Sequence, residues 1–182
     1  GIFHGGMEQD DREHALLKFR NGSYRILITT DLASRGLDIP EIEYVVHYQL
    51  PHNEEAFLHR NGRTARMHAK GTSYLFLTPN EKPDYLKELP EKEDLSEKTT
   101  IPPPSPWATL YIAAGKKKKV KKEDMVGEIL KKGELEKEDL GLIEVLDHQS
   151  FAAIKGNQIE RVVALVKNEK IKGKKIKIEI SR

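Results

Sequence analysis

The residues with the most chemistry to offer are arginines. In HRNGRTARMHAKG, residues 59–71, Arg60, Arg63 and Arg66 recur every third position among glycines, with no apolar face to bury. A guanidinium is permanently charged and presents a planar fork of donors that matches phosphate oxygens. If residues 63–66 are helical, Arg63 and Arg66 leave one face about one turn apart. Two such forks aimed into a cleft would neutralise charge growing on a γ-phosphate in transfer. Gly62 lets the backbone come close to a ligand. The alternative is a solvated basic turn that pairs with Glu54 or Glu55.

Two further stretches bear on the same chemistry. ILITTDLASRGLDIP, residues 26–40, continues from an apolar strand pattern, and ligands of α/β sheets bind beyond the carboxyl ends of their strands. There Gly36 supplies a permissive backbone, and Asp38 is a carboxylate able to accept from ribose hydroxyls or, alternatively, to cap a turn before Pro40. In HGGMEQDDRE, residues 4–13, the amides near Gly5 and the side chains of Gln9 and Arg12, with His4, lie at a helix start, which suits a phosphate or is an ordinary polar helix terminus.

The elements that must hold these residues alternate. MEQDDREHALLKFRNG reads as a helix with Ala15, Leu16 and Phe19 on one face and Gly22 at its C′ position. YRILITT reads as a buried strand, IEYVVHYQL and GTSYLFLT as further strands, and KPDYLKEL as a short helix. Asn53 can cap EEAFLHR, with Glu54 and Glu55 in the favourable first turn. Strands alternating with helices imply a parallel α/β sheet. About 90 residues make a thin layer of that kind, so an opening strand and helix are expected upstream.

Residues 101–182 have their own pattern. WATLYIAAG is a strand, and KEDMVGEILKKG a helix with Met125, Val126, Ile129 and Leu130 inward. LGLIEVLD and SFAAIKG are strands, and NQIERVVALVKN is a helix with Ile159, Val162, Val163 and Val166 inward and Asn157 as its cap. KKIKIEIS closes the order β-α-β-β-α-β, with Ile176, Ile178 and Ile180 alternating against charge. The charged, then Pro-rich run between the halves, with Pro102, Pro103, Pro104 and Pro106, favours an extended spacer.

Bulk properties narrow the function classes. No apolar run approaches the roughly 20 residues of a spanning helix, so no membrane partner is expected. The absence of cysteine removes disulfides and thiolate metal sites, and no metal ligand set is legible. The lack of cysteine fits a reducing compartment, and a cytoplasmic location is the expectation. The net charge of +2 hides a split. Residues 1–100 carry 13 Lys+Arg against 17 Asp+Glu, whereas residues 101–182 carry 18 against 12, so a polyanionic partner is expected for the second half.

TDLASRGLDIP resembles the fifth motif of the DEAD-box RNA helicases, HRNGRTAR their sixth, and HGGMEQDDR their His-Gly followed by Gln-x-x-Arg, all in family order. The resemblance implies that residues 1–90 are part of a second RecA-like domain, N-terminally incomplete, with a parallel α/β sheet. It implies that Arg63 and Arg66 are arginine fingers on the γ-phosphate of ATP, that Gly36 and Asp38 meet the nucleotide, and that His59 and Arg60 couple it to the facing domain. His4, Gly5, Gln9, Arg12 and Thr30 would hold the RNA backbone, which gives affinity without sequence choice. Ala65 stands where the family usually has Gly, and it narrows the turn between the two arginines. No phosphate-cradling P-loop and no Asp-Glu-Ala-Asp occurs. In the family these lie on a first RecA-like domain, which supplies the lysine, the Mg²⁺ carboxylates and the base. This chain by itself is therefore expected not to hydrolyse ATP.

Residues 106–182, after a linker at 91–105, resemble the C-terminal RNA-binding domain of DbpA-type helicases through WATLYIAAGKKKKVKKEDMVGEIL, LGLIEVLDHQSFAAI and KIKGKKIKIEI. That module is an α+β fold like an RNA-recognition motif (RRM-like). In the family it docks a hairpin of large-subunit ribosomal RNA beside a duplex, and the family role is assembly of that subunit. Tyr111 fits a base-stacking place on the first strand and Phe151 one on the third, but Gln149 stands where another aromatic is usual. RNA contact is then expected from Lys116, Lys117, Lys118, Lys119, Lys121 and Lys122, with Lys172, Lys174 and Lys175. The alternatives are an RNA-binding protein whose motor has decayed, a DNA translocase with a similar core, or a tail that docks protein.

Overall fold

The computed structural model describes residues 1–31, 42–64, 71–96, 100–171 and 173–181, with Lys174 described by its backbone alone. In chain order the elements are β1 (Ile2–Phe3), α1 (Gln9–Arg20), β2 (Ile28–Thr29), β3 (Tyr44–His47), α2 (Glu54–Asn61) and β4 (Thr72–Leu75). There follow β5 (Trp107–Ile112), α3 (Lys122–Gly133), β6 (Leu140–Val145), β7 (Ser150–Lys155), α4 (Ile159–Val166), β8 (Lys170–Ile171), β9 (Lys174–Lys175) and β10 (Ile178–Ile180). The chain divides into two compact units, Gly1–Ile28 with Pro103–Arg182, and Thr29–Pro102.

The first unit is built on a four-stranded antiparallel sheet ordered β10-β5-β7-β6. Successive residues of a strand point to opposite faces, so one face collects Leu110, Ile112, Ile143, Ala152, Ile154 and Ile178, all buried. Against them α3 lays Met125 and Ile129, and α4 lays Ile159, Val162 and Val166. Val126, Leu130 and Val163 are half-buried at the rim. Asn157 does not cap α4: Gln158 holds that place and makes no side-chain cap bond. The closing strand is shorter than its apolar alternation suggested. β9 turns back on β8, Ile176 and Ile178 are buried, and Ile180 at the strand end is 37% exposed.

Helix α1 covers the opposite face of that sheet. The His14 ring lies 4.9 Å from Phe151 and 6.3 Å from Tyr111, and those two rings meet edge to face at 5.6 Å. Arg20 pairs with Glu144 at 3.2 Å, and Asn21 Nδ2 donates to Thr109 Oγ1 at 2.9 Å. Beyond Asn21 the chain turns at Gly22 with φ +80°, the left-handed backbone that glycine adopts without a Cβ clash. Two packed sides explain why Ala15, Leu17 and Lys18 are the buried residues of α1, while Leu16 and Phe19 are half-buried.

In the other unit β3 and β4 pair in parallel, Tyr44 opposite Thr72 through His47 opposite Leu75. Asn53 caps α2, its Oδ1 accepting from the Ala56 amide at 2.9 Å. Residues 82–89 do not form the expected helix. Tyr85 instead donates its hydroxyl to the Pro51 carbonyl, and a single turn cannot offset its own nucleation cost without an apolar face to bury. The apolar run YRILITT is not a buried strand: only Ile28–Thr29 pair, with β1, and Ile26 and Ile28 are 70% and 66% exposed. A two-stranded pairing leaves both faces open unless a further layer covers them.

Leu110→Ala, at a fully buried site, is expected to lower the unfolding free energy of the chain by about 3 kcal/mol. Leu165→Ala, at a 39% exposed site on α4, is expected to stay within about 0.5 kcal/mol. Urea unfolding followed by circular dichroism distinguishes the two.

Candidate nucleotide and RNA interface

The arginine motif starts on the last turn of α2, which carries His59 and Arg60 and ends at Asn61. His59 is exposed. Arg60 turns into its own unit: Nε and Nη2 form a fork on the Asp31 carboxylate, Nη2 to Oδ2 at 2.7 Å, and Nη1 donates to the Gln49 carbonyl at 2.7 Å. A bidentate guanidinium–carboxylate pair is both stronger and more directional than a single contact.

His47 stands beside this pair and is 1% exposed. Its Nε2 is 2.9 Å from Asn61 Oδ1 and 3.1 Å from Ser73 Oγ, and Ser73 donates to Asn61 Oδ1 at 2.7 Å. An amide oxygen only accepts, so Nε2 carries the proton. Nδ1 is then the acceptor, 3.4 Å from Arg60 Nη1. The ring also packs on Phe57, centroids 5.1 Å apart. Burial holds the His47 pKa below its ordinary 6.5, the Asn61 hydrogen bond opposes this, the Arg60 charge reinforces it, and the Asp31 charge opposes it.

Arg63 follows Gly62 directly and is half-buried. Its amide donates to the Arg60 carbonyl at 3.1 Å, its carbonyl accepts from Ile42 at 3.4 Å, and buried Thr64 bridges Ile42 in parallel. Gly36, Asp38, Ala65, Arg66 and Lys172 lie outside the described residues. Thr30 is exposed, next to Asp31. Among the described residues no group of three or more His, Cys, Asp or Glu could hold a metal ion, and no helix is long and apolar enough to cross a membrane.

His4, Gly5, Gln9 and Arg12 come together at the start of α1. His4 Nδ1 accepts from the Gly6 amide at 3.1 Å, and Arg12 Nη1 donates to Gln9 Oε1 at 3.4 Å while its guanidinium lies 5.1 Å from the Phe3 ring centre. The Arg12 Nε is buried without a hydrogen-bond partner. In the tail, Lys116–Lys118 form one 3₁₀ turn, with Lys119 in left-handed backbone at φ 60° and exposed Lys121 and Lys122 opening α3. The turn docks on the β6–β7 connection: the Lys116 and Lys117 amides donate to the Leu146 and Asp147 carbonyls at 2.8 and 2.9 Å. Gly115 permits this approach, since a Cβ there would sit 2.1 Å from the Leu146 carbonyl oxygen. Lys117 Nζ donates to His148 Nε2 at 2.9 Å. Lys175 is exposed on β9, and Tyr111 is half-buried beneath His14.

Sequence reasoning missed Asp31, His47, Asn61, Ser73 and His148. For His47 a signal existed: a polar residue inside an apolar strand pattern must find partners.

A histidine with a lowered folded-state pKa binds its proton less readily folded than unfolded. As the pH falls below 6.5 the unfolded chain takes up more protons, so stability present above that pH is lost. Urea midpoints are expected to fall on acidification from about pH 7.5 to pH 5.5, and to fall less in His47→Gln than in the unsubstituted chain.

Residues 1–68 match the family described as Helicase conserved C-terminal domain, and residues 109–180 the DbpA RNA binding domain. The chain is 34% identical over 208 residues to ATP-dependent RNA helicase DbpA of Bacillus subtilis, covering 96% of this chain and 43% of that protein. It is 32% identical to ATP-dependent RNA helicase DbpA of Escherichia coli, covering 97% and 40%. It thus spans about two fifths of the length of these relatives. The crystal structure of the yeast DEAD-box splicing factor Prp28 matches with a TM-score of 0.43 and 40% identity, over 45% of this chain and 18% of that one. With both halves matched in order along one chain, the protein belongs to the DEAD-box helicases of the DbpA class.

Proposed function

We propose that this chain is the C-terminal portion of an ATP-dependent RNA helicase that opens short RNA duplexes locally, acting in the cytoplasm on ribosomal RNA during assembly of the large subunit. In this reading residues 1–90 belong to a second RecA-like domain, residues 91–105 link it, and residues 106–182 form an RRM-like module that seats an RNA hairpin. Closure of a first RecA-like domain, on which the P-loop, the Mg²⁺ carboxylates and the base would lie, brings ATP against Arg63 and Arg66. Water then attacks the γ-phosphorus and the bond to the β-phosphate breaks, giving ADP and phosphate. The guanidinium forks neutralise the charge on the phosphoryl oxygens in that step.

The observation that carries this reading is the anchoring of Arg60. Its fork is closed on Asp31 and Gln49, so the end of α2 is fixed and Arg63 leaves from a defined turn. The tail reading is supported by the docked 3₁₀ turn, which presents Lys116, Lys117, Lys118 and Lys119 together on exposed surface.

In the full-length enzyme, Arg63→Ala or Arg66→Ala is expected to cut RNA-stimulated ATP turnover by about 10³-fold or more, and turnover near the unsubstituted rate overturns the assignment. The chain alone is expected to bind a large-subunit ribosomal RNA hairpin more tightly than a scrambled one. Replacing Lys116, Lys117, Lys118, Lys119, Lys121 and Lys122 with Gln should flatten the dependence of log affinity on log salt, by roughly 0.9 for each phosphate that is no longer neutralised.

A further inference from the structure

We propose that His47 is a positioning residue for the phosphoryl-transfer site, acting as a neutral hydrogen-bond acceptor that orients Arg60 and, through Asn61, locks the end of the helix from which Arg63 emerges. The inference rests on the arginine-finger reading of Arg63 and Arg66, and it adds a residue in a different motif, on a different element.

The geometry fixes the tautomer from both sides of the ring. Asn61 Oδ1 has no proton to give and already accepts from Ser73, so Nε2 must donate to it. Nδ1 is left with its lone pair towards Arg60 Nη1, a group that only donates. A proton on Nδ1 would face a guanidinium and break that hydrogen bond. Among the described residues, the charged groups around the ring are Arg60 on α2 and Asp31 after β2. Ser73 on β4 and Asn61 on α2 contribute neutral contacts.

Each partner belongs to a separate segment. Ser73 is on β4, adjacent to β3, while Arg60 and Asn61 are the last two residues of α2. His47 therefore ties the parallel strand pair to the helix end. Arg63 N donates to Arg60 O and Thr64 N to Asn61 O, so the two residues His47 holds are those on which the next turn hangs. A shift of Arg60 or Asn61 is carried directly into the Arg63 backbone. Displacements on the order of 1 Å remote from the reacting atoms can cost about 10²-fold in rate.

The test uses the full-length enzyme with ATP and the large-subunit ribosomal RNA hairpin, extended by a short duplex, that the tail is proposed to seat. His47→Ala removes donor and acceptor, and RNA-stimulated kcat is expected to fall about 10- to 100-fold with KM for ATP little changed. His47→Gln keeps an Nε2 donor for Asn61 but offers no ring nitrogen to Arg60, so it should restore part of kcat. It should also abolish the acid limb of the kcat–pH profile, which a merely structural role would leave in place. Wild-type kcat and an unchanged acid limb in both variants overturn the inference. If His47→Ala does not fold, ¹⁵N imidazole shifts of the unsubstituted chain decide. A neutral Nε2–H ring supports the inference and an Nδ1–H ring overturns it. No RNA-stimulated ATPase in the unsubstituted enzyme is a distinct result: the helicase reading itself fails, and the role of His47 with it.

Discussion

The fork that Arg60 closes on Asp31 is the interaction on which the candidate site depends. All of that guanidinium's described acceptors are local: a carboxylate after β2, the Gln49 carbonyl after β3, and the His47 ring. An exposed ion pair alone contributes little, but Arg60 Nη1 also meets a backbone carbonyl and a buried imidazole, which gives the fork one geometry rather than many. Three stretches distant in sequence are thereby gathered at the helix end, and the arginine three residues on inherits its place from them.

The tail achieves order by a different route. Its sheet has an apolar face closed by α3 and α4 and a mixed face carrying Thr109, Tyr111, Glu144 and Phe151. The mixed face is where a strand-based RNA module would stack bases. In this structure α1 lies over it, with His14 against both rings and Asn21 bonded to Thr109, so Phe151 is only 1% exposed. The cationic surface is instead at the sheet's end, where backbone bonds seat the 3₁₀ turn on the β6–β7 connection.

Local signals were legible and long-range partnerships were not. The bounds of α3 follow from the spacing of Met125 and Ile129, and the Asn53 cap and the Gly22 turn follow from residue type alone. Around the arginine motif the partnerships were not legible, because Asp31 lies 29 positions from Arg60 and Ser73 lies 26 from His47. The apolar run at 24–30 misled because strand propensity does not say whether a layer covers it, and the spacing of Leu16 and Phe19 could not show that α1 would be flanked on two sides. Asn157 lost the cap to a one-residue shift, the least certain feature of any helix read from sequence.

Lys119 has a left-handed backbone at φ 60°, in a turn where glycine would sit without strain. For a residue with a Cβ that conformation costs about 1 kcal/mol. Glycine at this position would make the module tougher against heat and would also strip one ammonium from its most cationic corner. Thermal robustness and grip on a polyanion are therefore opposed at a single residue, and natural variation at 119 becomes a readout of which of the two a given lineage has needed more.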